Sequence, residues 1–123
     1  HLTAMEGEFA LKDWFKALKS GGLLHIIVPN MDYHCQQWLK AEWNETTIKE
    51  KWSDARHAFA SIFGWQRECN PNQGDYNQSY WDVHKSGYNQ RRMQYVLERN
   101  GYVDIDISVQ EDIHLVAKAR KPD

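Results

Sequence analysis

The sequence is short of the features that would place it in several protein classes. Its two cysteines, Cys35 and Cys69, stand far apart in 123 residues, and two cannot make the disulfide framework of a small secreted domain. No apolar run approaches the roughly 20 residues that a membrane-spanning helix needs, and no leader-like segment is visible. We therefore expect a reduced, cytoplasmic protein with no membrane association. Basic residues are not in excess. Fifteen Lys and Arg against 17 Asp and Glu give a formal net charge of -2, which leaves no electrostatic footprint for nucleic acid. Repeats, low-complexity tracts and linkers are missing, so residues 1–123 are expected to form a single domain with a real core. The sequons Asn44-Glu45-Thr46 and Asn77-Gln78-Ser79 have no expected use without secretion. His34, Cys35, Cys69 and His84 are soft enough for zinc, but no two have the short spacing of a structural site, so no metal is expected.

What is abundant is aromatic: six Trp and six Tyr, which implies either a dense aromatic core or an aromatic-lined pocket. The organising stretch is Leu18-Lys19-Ser20-Gly21-Gly22-Leu23-Leu24-His25-Ile26-Ile27-Val28-Pro29-Asn30. Ser20-Gly21-Gly22 suits a helix C-terminus, since glycine takes the left-handed cap at little steric cost. Leu23 to Val28 is apolar on both sides of the pleat except at His25, as in a strand covered on both faces. Pro29 should stop it. In open α/β sheets ligands sit at the carboxyl ends of strands, which makes Pro29, Asn30 and nearby Tyr33 candidates for a binding site.

Before that strand, the capping box Thr3-Ala4-Met5-Glu6 predicts a helix with Leu11, Trp14, Phe15 and Leu18 on one face. After it, Asp32 is the expected N-cap of a short helix. Thr47-Ile48-Lys49-Glu50 is a second capping box, expected to open a longer helix ended by Gly64. Residues 66–80 are irregular by composition, and the segment from Tyr76 to Tyr88 interleaves Tyr76, Trp81 and Tyr88 with Asp82 and His84. A histidine can serve as a general base near neutral pH, which makes His84 the candidate for that role, and the aromatics are candidate walls around a substrate. The alternative for His84 is a histidine hydrogen-bonded under a loop. Asn89 should cap a further helix closed by Asn100-Gly101. Val103, Ile105, Ile107 and Val109 alternate with Asp104, Asp106 and Ser108, which predicts a half-buried edge strand. A short turn at Gln110-Glu111-Asp112 then makes residues 113–119 its antiparallel partner. His25 and His114 are expected to be buried neighbours on paired strands.

Three pieces taken in order carry a resemblance: Ala10-Leu11-Lys12-Asp13-Trp14, then Leu18-Lys19-Ser20-Gly21-Gly22, then Ile26-Ile27-Val28-Pro29-Asn30. With His84-Lys85-Ser86-Gly87-Tyr88 and the closing Asn100-Gly101-Tyr102, they resemble the C-terminal half of class I S-adenosylmethionine-dependent methyltransferases of the type 11 kind. Serine stands at Ser20 where that family usually has proline. The resemblance implies a partial Rossmann-like α/β fold. Its three-stranded sheet would run in the order first, third, second strand, with a terminal antiparallel hairpin and flanking helices. It also implies S-adenosylmethionine as cofactor, an acceptor that the sequence does not identify, and a cofactor-side role for His1, for which a frayed terminal residue is the alternative. The family's glycine-rich cofactor loop has no counterpart here, because Gly21-Gly22 precede a strand instead of following one. The chain is accordingly expected to bind the cofactor poorly alone, as a fragment of a longer enzyme. The other expectation is a non-catalytic assembly module. In both cases the free edge of strand 23–28 is expected to pair with another copy or with a missing N-terminal half.

Overall fold

A computed structural model describes residues 1–66, 70–72 and 82–123. The expected candidates Tyr76 and Trp81, and Cys69, lie outside the described residues. The elements run α1 (Ala4–Ala17), β1 (Leu23–Pro29), α2 (Met31–Lys40), α3 (Asp54–Phe63), α4 (Gln90–Arg99), β2 (Val103–Gln110) and β3 (His114–Arg120). The protein is a mixed α/β structure with an open three-stranded sheet in the order β1-β3-β2. Both pairings are antiparallel. Among the described residues no strand pairs with the outer edge of β1.

The starts of α1, α3 and α4 have a local cause, a side-chain cap. Thr3 accepts from Glu6 N–H at 3.1 Å while Glu6 accepts from Thr3 N–H at 2.9 Å, the reciprocal box that satisfies two orphan donors. Asn89 caps α4 through Arg92 N–H, and Gly101 (φ 86) closes it. Other expectations are corrected. The first helix ends at Ala17 with Leu18 extended at its cap, and Gly21 (φ 71) is instead the third residue of a turn in which Gly22 N–H bonds to Lys19 O. Asp32 lies inside the first turn of α2. Its N-cap position belongs to Asn30, whose side chain is drawn away to Asp112 O. The helix expected at Thr47 begins only at Asp54, capped by Ser53. Asn44 Oδ1 takes the N–H groups of both Thr46 and Thr47, and the Thr47 hydroxyl donates to Glu42 O, so a side-chain-closed turn wins over the capping box.

β1 is not covered on both faces. Its residues alternate, with Leu24 buried and Ile26 and Val28 half-buried against the core while Leu23, His25 and Ile27 are exposed. The apolar run therefore reads as a fully buried strand only because its outward face is also apolar. Asn30 N–H bonds to Ile113 O, so by alternation the nitrogen of Pro29 faces the free edge, where a missing donor costs no ladder bond. The register sets Ile26 opposite Ala117 and Val28 opposite Leu115. These residues join Leu11 of α1 and Met93, Val96 and Leu97 of α4 in the main core. Tyr102, buried just before β2, donates its hydroxyl to Leu11 O at 2.6 Å. His25 pairs with Lys118 and His114 with Pro29. Both histidines are exposed, which overturns the expected buried pair. The aromatic core is overturned as well: Trp14, Trp38, Trp43 and Trp52 are all substantially exposed, and the largest fully buried side chains are Met93, Leu97, Leu115 and Val96.

Candidate functional site

Two adjoining cavities open at the carboxyl end of β1. Ile27, Val28, Pro29, Ser61 and His84 line both. The first, of about 280 Å³, is walled by the first helix at Gly7, Ala10, Leu11 and Trp14, and by His1, Met31, Gly87 and Tyr88. The second, of about 630 Å³, is walled by His34, Trp52, His57, Ala60, Trp65, Ile113 and His114.

His84 sits where the two meet. It is held by α3, whose last turn supplies the carbonyls that the returning chain binds. His84 N–H donates to Phe63 O at 3.1 Å, and its ring Nδ1 lies 2.7 Å from Ser61 O. A carbonyl only accepts, so Nδ1 carries the hydrogen and Nε2 carries the lone pair. Gly64 (φ 90) permits this approach, since a Cβ there would lie 1.8 Å from Asp82 O. His1 packs its ring 5.1 Å from that of His84. Tyr88 is brought in by the chain after His84: its carbonyl accepts from Met31 N–H at 3.0 Å, and Asn30 and Tyr88 form an isolated bridge. Gly7, which weakens the first turn of α1, leaves room for the Tyr88 hydroxyl, 2.9 Å from where a Cβ would stand. Arg92 lies 4.3 Å over the Tyr88 ring.

Of the residues expected from sequence, His1, Pro29, His84 and Tyr88 thus line one cavity. Asn30 is buried and structural: its side-chain amide donates to Asp112 O at 3.0 Å, tying the end of β1 to the hairpin turn. Tyr33 packs edge-on against His34, 5.4 Å between ring centroids, and lines neither cavity.

Sequence reasoning missed Ser61 and His57, and weighed His34 only as a soft atom for zinc. His34 is buried, and its Nε2 lies 3.3 Å from Ile113 O. His57 stacks edge-on to it at 5.3 Å. Burial pushes the His34 imidazole below its ordinary pKa, and the nearby His57, His114 and His84 push the same way, against the bond to Ile113. The spacing of His57, Ala60 and Ser61 on α3 was the available signal, because residues three and four apart share a helix face. Among the described residues no trio of His, Cys, Asp or Glu is placed to hold a metal ion. No helix there is long and apolar enough to cross a membrane. Comparison of the chain with protein-family models, curated proteins and solved structures finds no match.

Proposed function

We propose that this chain is the acceptor-side half of an S-adenosylmethionine-dependent methyltransferase, with His84 as general base. The observation that carries the reading is the orientation of His84. Its Nδ1–H is spent on Ser61 O, so a basic Nε2 is left free in a cavity at the carboxyl end of β1. A neutral imidazole so placed takes the proton from an acceptor hydroxyl or amine as that atom becomes the nucleophile. Ile27, Val28, Pro29 and Trp14 give the cavity apolar walls that keep water from competing. The strand order and terminal hairpin that the sequence resemblance implies agree with β1-β3-β2.

The cofactor itself does not fit residues of this chain. Gly21 and Gly22 lie in the turn before β1 and line neither cavity, so among the described residues this glycine pair does not cradle a nucleotide. S-adenosylmethionine is the methyl donor of the whole enzyme, bound by residues outside this half. Calorimetry with S-adenosylmethionine tests this. The protein translated from its complete reading frame should bind in the micromolar range, and the 123-residue chain alone should give no saturable heat. In the full protein, His84→Asn should leave cofactor affinity within about twofold and lower kcat by roughly 10²- to 10⁴-fold. A full-length protein that ignores the cofactor overturns the reading. The outer edge of β1, with which no strand pairs among the described residues, favours a second reading, an assembly module that completes its sheet with a partner strand.

A further inference from the structure

The lining of the first cavity restricts what can fill it. None of the described residues that line it is Asp, Glu, Lys or Arg. No charged side chain therefore meets an ion that gives up its water there. The Tyr88 ring could draw a cation, but Arg92 already sits 4.3 Å over it. Most of the wall is apolar, formed by Leu11, Trp14, Ile26, Val28, Met31 and Met93. A sugar or a nucleoside would strand its polar groups against these side chains. Size narrows the choice again. A cavity of about 150 Å³ already holds benzene, so about 280 Å³ has room for one ring and its substituents. Trp14 and the two thioethers suit an aromatic ring, because indole and sulfur both pack favourably against one.

One polar atom at this wall calls for a donor. The Nδ1–H of His84 is directed to Ser61 O at 2.7 Å, which leaves a lone pair on Nε2. No described residue donates to that nitrogen, and a water-sized group can still touch it. A ligand that seats an O–H there satisfies it from within the cavity.

We propose that this cavity binds a neutral one-ring phenol, with its O–H donated to His84 Nε2 and its ring among Trp14, Met31 and Met93. As a ligand of the cavity, the phenol stands on the lining and on the His84 tautomer alone. As the acceptor class of the proposed methyltransferase, it rests on that reading.

The test reads binding at pH 8 and uses no methyl donor. The protein, labelled at its histidine nitrogens and methionine methyls, is titrated with phenol, anisole, toluene, cyclohexanol, benzoate and benzylamine and followed by NMR. Phenol should saturate and move the His84 Nε2 resonance. Its ring current should shift the methyls of Met31 and Met93 and spare that of Met5, which does not line the cavity. Anisole and toluene lack the donor and should bind roughly tenfold more weakly. Cyclohexanol should also be weaker than phenol, and the two charged probes weakest of all. His84→Phe keeps a ring and removes the lone pair. It should bring phenol down to the level of anisole and leave anisole unchanged, whereas a damaged fold weakens both and leaves the wild-type series to decide. Phenol that does not saturate overturns the proposal. So does anisole, toluene or either charged probe binding as tightly as phenol, or a response confined to His34, His57 and His114, which would put the ring in the second cavity. Phenol binding by a full-length protein that ignores S-adenosylmethionine sinks the methyltransferase reading and leaves this ligand standing. Cofactor binding by a full-length protein that ignores phenol sinks only the ligand.

Discussion

At the scale of single residues, His34 joins stability to pH. Its folded-state pKa lies below the ordinary 6.5 because burial disfavours the charged ring. Just below that ordinary value the unfolded chain binds a proton that the folded chain refuses, so stability is full above about pH 6.5 and is lost as the pH falls beneath it. The neighbouring His57, His114 and His84, which line the same cavity, push the His34 pKa the same way. Urea unfolding at pH 8 and pH 5 should show a larger fall in midpoint for the wild-type protein than for His34→Phe. Equal falls would mean that His34 is not the group that titrates. No local pattern points to this role. A histidine beside Cys35 in a polar run looks like surface, and only the long-range contact with Ile113 buries it. His84 was legible for the opposite reason, because it lies among aromatics in a stretch without helical or strand periodicity, where side chains have little packing to do.

At the scale of elements, the legible parts were those whose cause is local. The box at Thr3, the cap at Asn89 and the stop at Gly64 each need only a few neighbouring residues, and each stands where the sequence puts it, whereas the alternation expected from Val103 is broken by a register shift before Asp106, with Asp104 at φ 51, that turns Val103 to the exposed face beside Arg120. The misplaced helix at Thr47 failed because Asn44, three residues upstream, competes for the same N–H groups. The exposed face of β1 failed because alternation is invisible when both faces are apolar. Gly64 also links an element to the site, since it lets residues 82–84 run against the last turn of α3. Gly64→Ala meets both a positive φ and the Asp82 carbonyl, and should cost roughly 2–4 kcal/mol. Beyond that loss in the urea midpoint, the His84 ring should lose its bond to Ser61 and exchange its Nδ1 proton faster. An unchanged histidine spectrum would show that the approach of the two segments does not depend on glycine.

At the scale of the whole molecule, the hairpin was legible from its connection length, because a turn of only Glu111, Asp112 and Ile113 makes β2 and β3 pair antiparallel, whereas the order β1-β3-β2 was expected from the family resemblance alone. What lies beyond β1 was not legible, since a strand carries no record of its second neighbour. Its open edge, flanked by the exposed Leu23 and Ile27, is a template for another strand. Light scattering should find the 123-residue chain self-associating as concentration rises, and Ile27→Lys should return it to monomer. A monomer throughout, with fast amide exchange along residues 23–29, would remove the pairing reading. The Ile113 carbonyl has a different consequence. It takes the N–H of Asn30 and faces the Nε2 of His34, so a peptide unit in the hairpin turn decides which nitrogen of a much earlier histidine carries the hydrogen. During synthesis His34 therefore acquires its fixed tautomer only when the β2–β3 hairpin docks, whereas His84 takes its own from Ser61 as soon as residues 82–84 return to α3.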